Sequence, residues 1–125
     1  MSKKTIMLVD DASTLRKYGK RILEGAGYEV ITAEDGIIAL SKLFEHKVDL
    51  VLLDVLMPRL DGYYTFLMIK DNEAFKELPI IMVTGKDSPF DKVKGELLGC
   101  QEYVTKPYDE VALLETVGKY LSKES

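Results

Sequence analysis

Short apolar runs alternate with longer amphipathic stretches along this chain. The runs that read as buried strands are TIMLV (5–9), YEVITA (28–33), DLVLLD (49–54), PIIMVTG (79–85) and QEYVTK (101–106). In the stretches between them, apolar residues recur at helical spacing. Five successive strand–helix units predict an α/β fold, in which a parallel sheet is covered by helices on both faces.

Capping residues predict where the helices begin and end. The expected helix starts are Ser13, Asp35 or Gly36, Asp61, Ser88 followed by Pro89, and Asp109. Gly25 and Gly27 should end the first helix. The second helix is expected to be carried by Ile37, Leu40, Leu43 and Phe44, and the third by Tyr64, Phe66, Leu67 and Ile69.

Size and composition favour one soluble globular domain spanning residues 1–125. The chain has 125 residues, of which 46% are hydrophobic and 30% charged, so it can bury a core. A net charge of −4 argues against a nucleic-acid-binding domain. We see no apolar run of membrane-spanning length and no signal peptide, so we expect no membrane insertion and a cytoplasmic location. The single cysteine, Cys100, excludes an internal disulfide.

Polar residues follow the predicted strands where each strand ends. Asp10 and Asp11 follow the first strand, Asp54 ends the third, Thr84 lies at the end of the fourth, and Lys106 at the end of the fifth. In a parallel sheet these ends share one edge, where ligands bind. The sequence therefore predicts a pocket with three carboxylates, one hydroxyl and one ammonium group.

Repulsion in this pocket indicates what it must bind. At ~5 Å and an effective dielectric of ~20, each carboxylate pair repels by about 3 kcal/mol. The sum over three pairs, roughly 10 kcal/mol, is comparable with the whole stability of a small domain. A divalent cation would offset it, and carboxylates with open coordination positions suit Mg²⁺. The absence of His and Cys from these positions disfavours zinc.

A carboxylate beside Mg²⁺ can also attack phosphorus and form an aspartyl phosphate. That reaction needs cations to neutralise the phosphoryl oxygens and a donor to hold them. The Lys106 ammonium group and the Thr84 hydroxyl are the candidates for these two tasks.

Taken together, these motifs closely resemble the receiver domain of bacterial two-component response regulators. The motifs are Asp10-Asp11, Asp54 within LLDVLMPRLDG, Thr84-Gly85, and Tyr103-x-x-Lys106-Pro107. The resemblance covers nearly the whole chain and implies a flavodoxin-like or CheY-like (βα)5 fold with strand order 2-1-3-4-5. It also implies a stand-alone domain that has no output domain of its own and acts on another protein.

The resemblance assigns the metal and phosphoryl sites residue by residue. It implies that Asp54 is the phosphoacceptor, that Asp11 binds Mg²⁺ (or Mn²⁺) directly, and that Asp10 binds it through water. The backbone carbonyl of Leu56 would complete the protein ligands.

The resemblance also assigns the switch. Thr84 and Lys106 would contact the phosphoryl group, Tyr103 would be the switch aromatic, and the Lys106–Pro107 bond is expected to be cis. The phosphodonor would be a histidine kinase. The output protein would bind the face made by the fourth helix, fifth strand and fifth helix, and the protein would be a monomer or weak dimer.

A narrower likeness and two departures refine this interpretation. MPRLDGY (57–63), IKDNEAFKELPIIM (69–82) and FDKVKG (90–95) resemble the stand-alone regulators of type IV pilus, or twitching-motility, chemosensory systems. Leu56 and Lys86 lie two residues past the phosphoacceptor and Thr84 respectively, where side chains influence access of hydrolytic water. Because Leu56 cannot orient a water molecule, we expect slow dephosphorylation.

Two other functions remain open from the sequence. An aspartyl-nucleophile Mg²⁺ phosphohydrolase would have a D-x-D pattern after the first strand, but the third residue here is Ala12. An unphosphorylated pseudo-receiver would act as an interaction module, although such domains usually lack one of the site residues. On the main interpretation the protein is no metabolic enzyme and catalyses only its own phosphorylation and dephosphorylation.

Overall fold

The computed structural model describes residues 3–55, 62–84, 102–105 and 108–121. The strands in these ranges are Thr5–Val9 (β1), Glu29–Ala33 (β2), Leu50–Asp54 (β3), Ile80–Thr84 (β4) and Glu102–Thr105 (β5). The helices are Ser13–Gly25 (α1), Gly36–Glu45 (α2), Gly62–Lys70 (α3) and a C-terminal helix, Glu110–Leu121, with a 3-10 turn at Glu73–Phe75. All the expected strands are confirmed. The helix expected to begin at Ser88 lies outside the described residues.

The five strands form one parallel sheet in the order β2-β1-β3-β4-β5. This confirms the expected α/β fold and the expected strand order. The chain leaves β1 toward β2 on one side and returns to β3 on the other, so the strand order reverses between β1 and β3. In open α/β sheets, ligands bind beyond the carboxyl ends of the strands at such a switch point.

Alternate residues of the central strands pack into two separate cores, one on each face of the sheet. Met7, Val9, Val51 and Leu53 pack on the face that α2 and α3 cover. Ile6, Leu8, Leu50 and Leu52 pack on the face that α1 and the C-terminal helix cover. All eight side chains are fully buried. Burial on both faces explains why the central strands are apolar throughout.

The first helix corrects one expectation. Ser13 is the first residue of α1 and not its cap, because Ala12 occupies the capping position and no side chain caps the helix there. The amide of Ala12 instead donates to the Asp10 carboxylate. Helix α1 ends at Gly25, and Gly27 has a φ of 98°. The expected glycine stop is therefore confirmed, since this conformation favours glycine.

The second helix begins as expected, but only part of its expected apolar face packs on the core. The Asp35 carboxylate accepts a hydrogen bond of 2.8 Å from the amide of Ile38 and caps α2. Ile37 and Phe44, expected to carry the helix, are 69% and 64% exposed. Leu43 is buried as expected, and Leu40 packs partly against the same core. The other buried residues are Gly36 and Ala39. Two apolar stripes lie side by side on this helix, and the one with smaller residues packs against the sheet.

Helix α3 also buries only some of the apolar residues that were expected to carry it. Phe66 and Ile69 are buried as expected, whereas Tyr64 and Leu67 are about half exposed. Asp61, the expected cap of this helix, lies outside the described residues.

The C-terminal helix matches its expected start. The Asp109 carboxylate accepts from the amide of Ala112 at 3.1 Å, and Leu113, Val117 and Leu121 are buried. Within the described ranges, each helix is too short or too polar to cross a lipid bilayer.

Candidate acidic site

Three carboxylates meet at the carboxyl edge of the sheet, where β1 and β3 lie side by side. Asp10 and Asp11 directly follow β1, and Asp54 is the last residue of β3. Because Val9 pairs with Leu53, Asp10 comes level with Asp54. One oxygen atom from each carboxylate lies within 4.8 Å of the other two. The structure therefore brings together the three acids that the sequence predicts as one cluster.

The three acids differ in their access to solvent. Asp10 and Asp54 are fully buried, whereas Asp11 is exposed. Asp54 and Asp10 thus form the floor of the site, and Asp11 lies at its mouth. A ligand arriving from solvent would therefore meet Asp11 before the buried pair.

Hydrogen bonds fix the chain around Asp10 before any ligand binds. The amide of Asp10 donates to the carbonyl of Ala33 at 3.1 Å, and the carboxylate oxygen Oδ1 accepts from the amide of Ala12 at 2.9 Å. The Arg16 guanidinium donates to the Asp10 carbonyl at 2.8 Å. These contacts orient the carboxylate toward Asp54 and Asp11 through the backbone that carries it.

The electrostatic cost of this arrangement exceeds what the adjacent helix can offset. At the observed separation, each pair of ionised carboxylates repels by about 3 kcal/mol at an effective dielectric of ~20. The N-terminus of α1, which begins at Ser13, stabilises a nearby anion by about 1 kcal/mol or less. A bound cation would relieve the remaining repulsion, and a set of oxygen donors suits Mg²⁺.

Gly62 allows helix α3 to begin directly against the acidic site. A methyl group built on Gly62 would overlap the backbone of Asp54 and Val55. The start of α3 therefore touches the end of β3 at the residue that carries the third carboxylate. The apolar pattern of the sequence does not predict this contact, although a glycine at the start of an otherwise apolar helix is the signal for it.

Tyr108 is a second residue near the site that the sequence pattern does not predict. Its ring lies beside α1 and β1, since a methyl group on Gly19 would come within 3.2 Å of the Tyr108 ring and 2.9 Å of Leu8. Burial, and then the charges of Asp10 and Asp54, raise the pKa of the Tyr108 phenol far above its usual value. The hydroxyl therefore stays protonated and lies in the field of both buried carboxylates.

Two further predicted residues lie on the neighbouring strands β4 and β5. Thr84 ends β4 one residue beyond the pairing of Asp54 with Val83, so it lies at the carboxyl edge of the sheet. Tyr103 lies in β5, in register with Met82. Leu56, Gly85, Lys86, Lys106 and Pro107 lie outside the described residues, and the expected cis bond lies there too.

Comparisons with known proteins agree with this architecture. The model of the family described as the response regulator receiver domain matches residues 6–118. The chain is 43% identical over 112 residues to Protein PilG of Pseudomonas aeruginosa, covering 90% of this chain and 83% of that protein.

Two solved structures superimpose closely on the fold. The Vibrio cholerae chemotaxis protein CheY4 has a TM-score of 0.90 at 32% identity, covering 96% of this chain and 100% of CheY4. The receiver domain of sensor histidine kinase PA1611 from Pseudomonas aeruginosa, with a magnesium ion coordinated in its active site cleft, has a TM-score of 0.88. It is 26% identical, and the match covers 97% of this chain and 99% of that domain.

Proposed function

Since this chain belongs to the response regulator receiver domain family, we propose that it is a phosphorylation switch whose phosphoacceptor is Asp54. The observation that carries the proposal is the cluster of Asp10, Asp11 and Asp54 within 4.8 Å at the carboxyl edge of the sheet. Receiver domains belong to signalling proteins and not to metabolic enzymes. This chain would catalyse only the gain and loss of its own phosphoryl group.

The acidic cluster fits a divalent cation. The carboxylates of Asp10, Asp11 and Asp54, with the carbonyl of Leu56, would hold Mg²⁺ or Mn²⁺. All these donors are oxygen atoms, which hard cations prefer, and few protein ligands leave coordination positions open for water. When bound, the ion supplies positive charge that offsets carboxylate repulsion and neutralises phosphoryl oxygens. The related PA1611 receiver domain, with magnesium in its active site cleft, supports this assignment.

The residues of this chain then have distinct tasks in phosphoryl transfer. An Asp54 carboxylate oxygen bonds to phosphorus while the bond from phosphorus to the donor's histidine nitrogen breaks, and the leaving imidazole takes up a proton. The Thr84 hydroxyl donates to a phosphoryl oxygen, and the Lys106 ammonium group pairs with another. Burial of Asp54 supports this role, because charge pairing is stronger where water is excluded.

Thr84 and Tyr103 would couple phosphorylation of Asp54 to a conformational change at the output face. A phosphoryl group offers Thr84 a charged acceptor, and charge-assisted hydrogen bonds are roughly twice as strong as neutral ones. Movement of Thr84 would let Tyr103 turn inward and change the face made by the fourth helix, β5 and the C-terminal helix. An output protein would bind that face better after phosphorylation. The phosphodonor would be a histidine kinase, in a cytoplasmic two-component pathway.

The narrower proposal is a chemotaxis-like pathway that controls pilus motility. Its support is the match to Protein PilG, together with the pilus-regulator motifs at 57–63, 69–82 and 90–95. We propose that the protein is a monomer or weak dimer and that Leu56 and Lys86 set a long phosphoryl lifetime.

Acetyl phosphate with Mg²⁺, followed by intact mass measurement, tests the function. We expect one added phosphoryl group in the natural protein and none in Asp54→Asn. Asp71→Asn, which alters an exposed acid after α3, is the matched control and should be modified normally. An equal adduct on Asp54→Asn would contradict the assignment. No adduct on the natural protein would favour a pseudo-receiver, and sustained hydrolysis of a generic phosphate ester would favour a phosphohydrolase.

Amide chemical shifts with and without beryllofluoride test the switch. We expect shifts at residues 88–104 as well as at the acidic pocket. Shifts confined to the pocket would contradict the proposed coupling through Thr84 and Tyr103.

A further inference from the structure

Tyr108 buries a hydroxyl group where a phenylalanine would fill the same space. The side chain is 4% exposed, and its hydroxyl has no hydrogen-bond partner among the described residues. The ring packs in the core between α1, β1 and the C-terminal helix, against Leu8 and Gly19. Because phenylalanine would retain these ring contacts, packing alone does not account for the hydroxyl.

A buried hydroxyl without a partner destabilises a fold. Native proteins satisfy such groups, frequently with a buried water that also bonds to a second polar group. The partner of Tyr108 should therefore be sought among polar groups that the hydroxyl faces.

Tyr108 packs in one core cluster with Leu8 and Leu52, which lie two residues before Asp10 and Asp54. Because alternate residues of a strand lie on the same face of a sheet, Tyr108 lies on the face that Asp10 and Asp54 share. The carboxylates of Asp10 and Asp54 both raise its pKa, in addition to the larger effect of burial. The hydroxyl therefore remains a hydrogen-bond donor throughout the neutral range, and its surroundings contain two buried acceptors. The position of Tyr108 just beyond the end of β5 agrees with this, since β1 and β3 also end at this edge of the sheet.

We propose that Tyr108 is a positioning residue of the acidic site, whose hydroxyl donates through a buried water to the carboxylate pair Asp10 and Asp54 and thereby strengthens binding of a divalent cation. The residue does not touch the cation. It orients the carboxylates that do, as outer hydrogen-bond partners of metal ligands commonly do. This inference rests on the proposed function, because it takes the acidic site to be a Mg²⁺ site.

Calorimetric titration with MgCl₂ tests the inference on the whole chain. We expect Tyr108→Phe to raise the dissociation constant for Mg²⁺ by about tenfold, the lower end of the range for outer-shell partners. Tyr120→Phe is the matched control, since its hydroxyl bonds to Glu102 instead and should leave Mg²⁺ affinity unchanged.

Phosphorylation by acetyl phosphate separates positioning from a general structural effect. At limiting Mg²⁺ the initial rate of Tyr108→Phe should fall in proportion to its weaker metal binding. At saturating Mg²⁺ the rate should return to within about twofold of the natural protein. With carbon-13 label at the tyrosine ring, the Cζ resonance of Tyr108 should shift on addition of MgCl₂, while that of Tyr120 stays in place.

The outcomes distinguish the two proposals. If the natural protein binds Mg²⁺ and accepts a phosphoryl group but Tyr108→Phe binds Mg²⁺ equally well, the inference about Tyr108 is wrong and the proposed function stands. A gain in thermal stability with unchanged metal affinity leads to the same conclusion. If the natural protein neither binds Mg²⁺ nor is phosphorylated, the proposed function is wrong, and the role of Tyr108 is wrong with it.

Discussion

The two edges of the sheet differ in the partners that they give to charged side chains. At the carboxyl edge, Asp10, Asp11 and Asp54 lie within 4.8 Å of one another. At the amino edge, the Asp49 carboxylate accepts a hydrogen bond of 2.8 Å from the amide of Thr5 at the start of β1. Asp10 also accepts from a backbone amide, that of Ala12, but the carboxyl edge in addition brings three like charges together.

A lysine shows the same behaviour at the amino edge. The Lys70 ammonium group, at the end of α3, donates to the carbonyls of Lys76 and Leu78 just before β4. Burial lowers the pKa of Lys70, and the charge of Glu77 opposes that change. The amino edge therefore uses charged side chains to fix the loops that start strands. At the carboxyl edge, the carboxylates of the acidic site instead repel one another, and a bound ligand can relieve that repulsion.

The largest expected effect comes from closing the space between α3 and the acidic site. Gly62→Ala should destabilise the protein by about 3 kcal/mol, because the added methyl group overlaps backbone atoms of Asp54 and Val55 that cannot rotate away. Urea unfolding would measure the change. Gly118→Ala is the control, since a methyl group there meets no atom within 4 Å and should stabilise the C-terminal helix by about 1 kcal/mol. A Gly62→Ala variant as stable as the natural protein would contradict the close approach.

The strands and the acidic edge could be predicted from the sequence for a simple reason. Central strands covered on both faces must be apolar throughout, so their ends are visible where polar residues begin. Asp10 and Asp54 follow such runs directly, and a parallel sheet brings strand ends together without further information.

Other features depend on packing that the apolar pattern does not specify. Helix α2 offers two neighbouring apolar stripes, and periodicity alone does not select the one with Ala39 over the one with Ile37 and Phe44. Tyr108 lies between a strand and a helix, where no period applies. Only the three-dimensional structure shows that its hydroxyl is buried near two carboxylates.

The next largest effect tests the amino edge. Asp49→Ala should destabilise the protein by about 1.5 kcal/mol, since the partly buried amide of Thr5 loses a charged acceptor. Asp49→Asn retains an oxygen acceptor and should lose less. Thermal or urea unfolding at neutral pH would measure both variants. If Asp49→Ala were as stable as the natural protein, the amino edge would not depend on this capping contact.

Removing an acid at the carboxyl edge should stabilise the protein, whereas removing Asp49 at the amino edge should destabilise it. Without metal, Asp11→Ala should stabilise the protein by about 1 kcal/mol, because it removes repulsion from Asp10 and Asp54. The gain is smaller than the pairwise repulsion suggests, since Asp11 is exposed and water and salt screen its charge. Unfolding at low and high NaCl would measure the gain, which should shrink as salt rises.

Added MgCl₂ should make the natural protein more stable than Asp11→Ala, which reverses the order expected without metal. A ligand that binds only the folded state at ten times its dissociation constant adds about 1.4 kcal/mol to stability. The natural protein should gain this from MgCl₂, whereas Asp11→Ala should gain little. Destabilisation of metal-free Asp11→Ala would show that the three carboxylates do not repel one another in the folded protein.

The smallest effect is expected from the exposed ion pair near the start of β5. The Lys119 ammonium group lies 2.8 Å and 3.0 Å from the two carboxylate oxygens of Glu102. The hydrogen bond that Lys119 donates to Glu102 is the main cause that raises the pKa of Lys119. A raised lysine pKa contributes stability that is fully present below the unfolded value, about 10.4, and is lost as pH rises through the folded value.

Lys119→Met should unfold at nearly the same temperature as the natural protein at pH 7, because exposed pairs are screened and must order two long side chains. Any small difference should be constant from pH 6 to 9 and should disappear only in strong alkali. Thermal unfolding across that range would measure it. A loss of stability as large as that of Asp49→Ala would mean that surface ion pairs, and not hydrogen bonds between charged groups and the backbone, stabilise the amino edge.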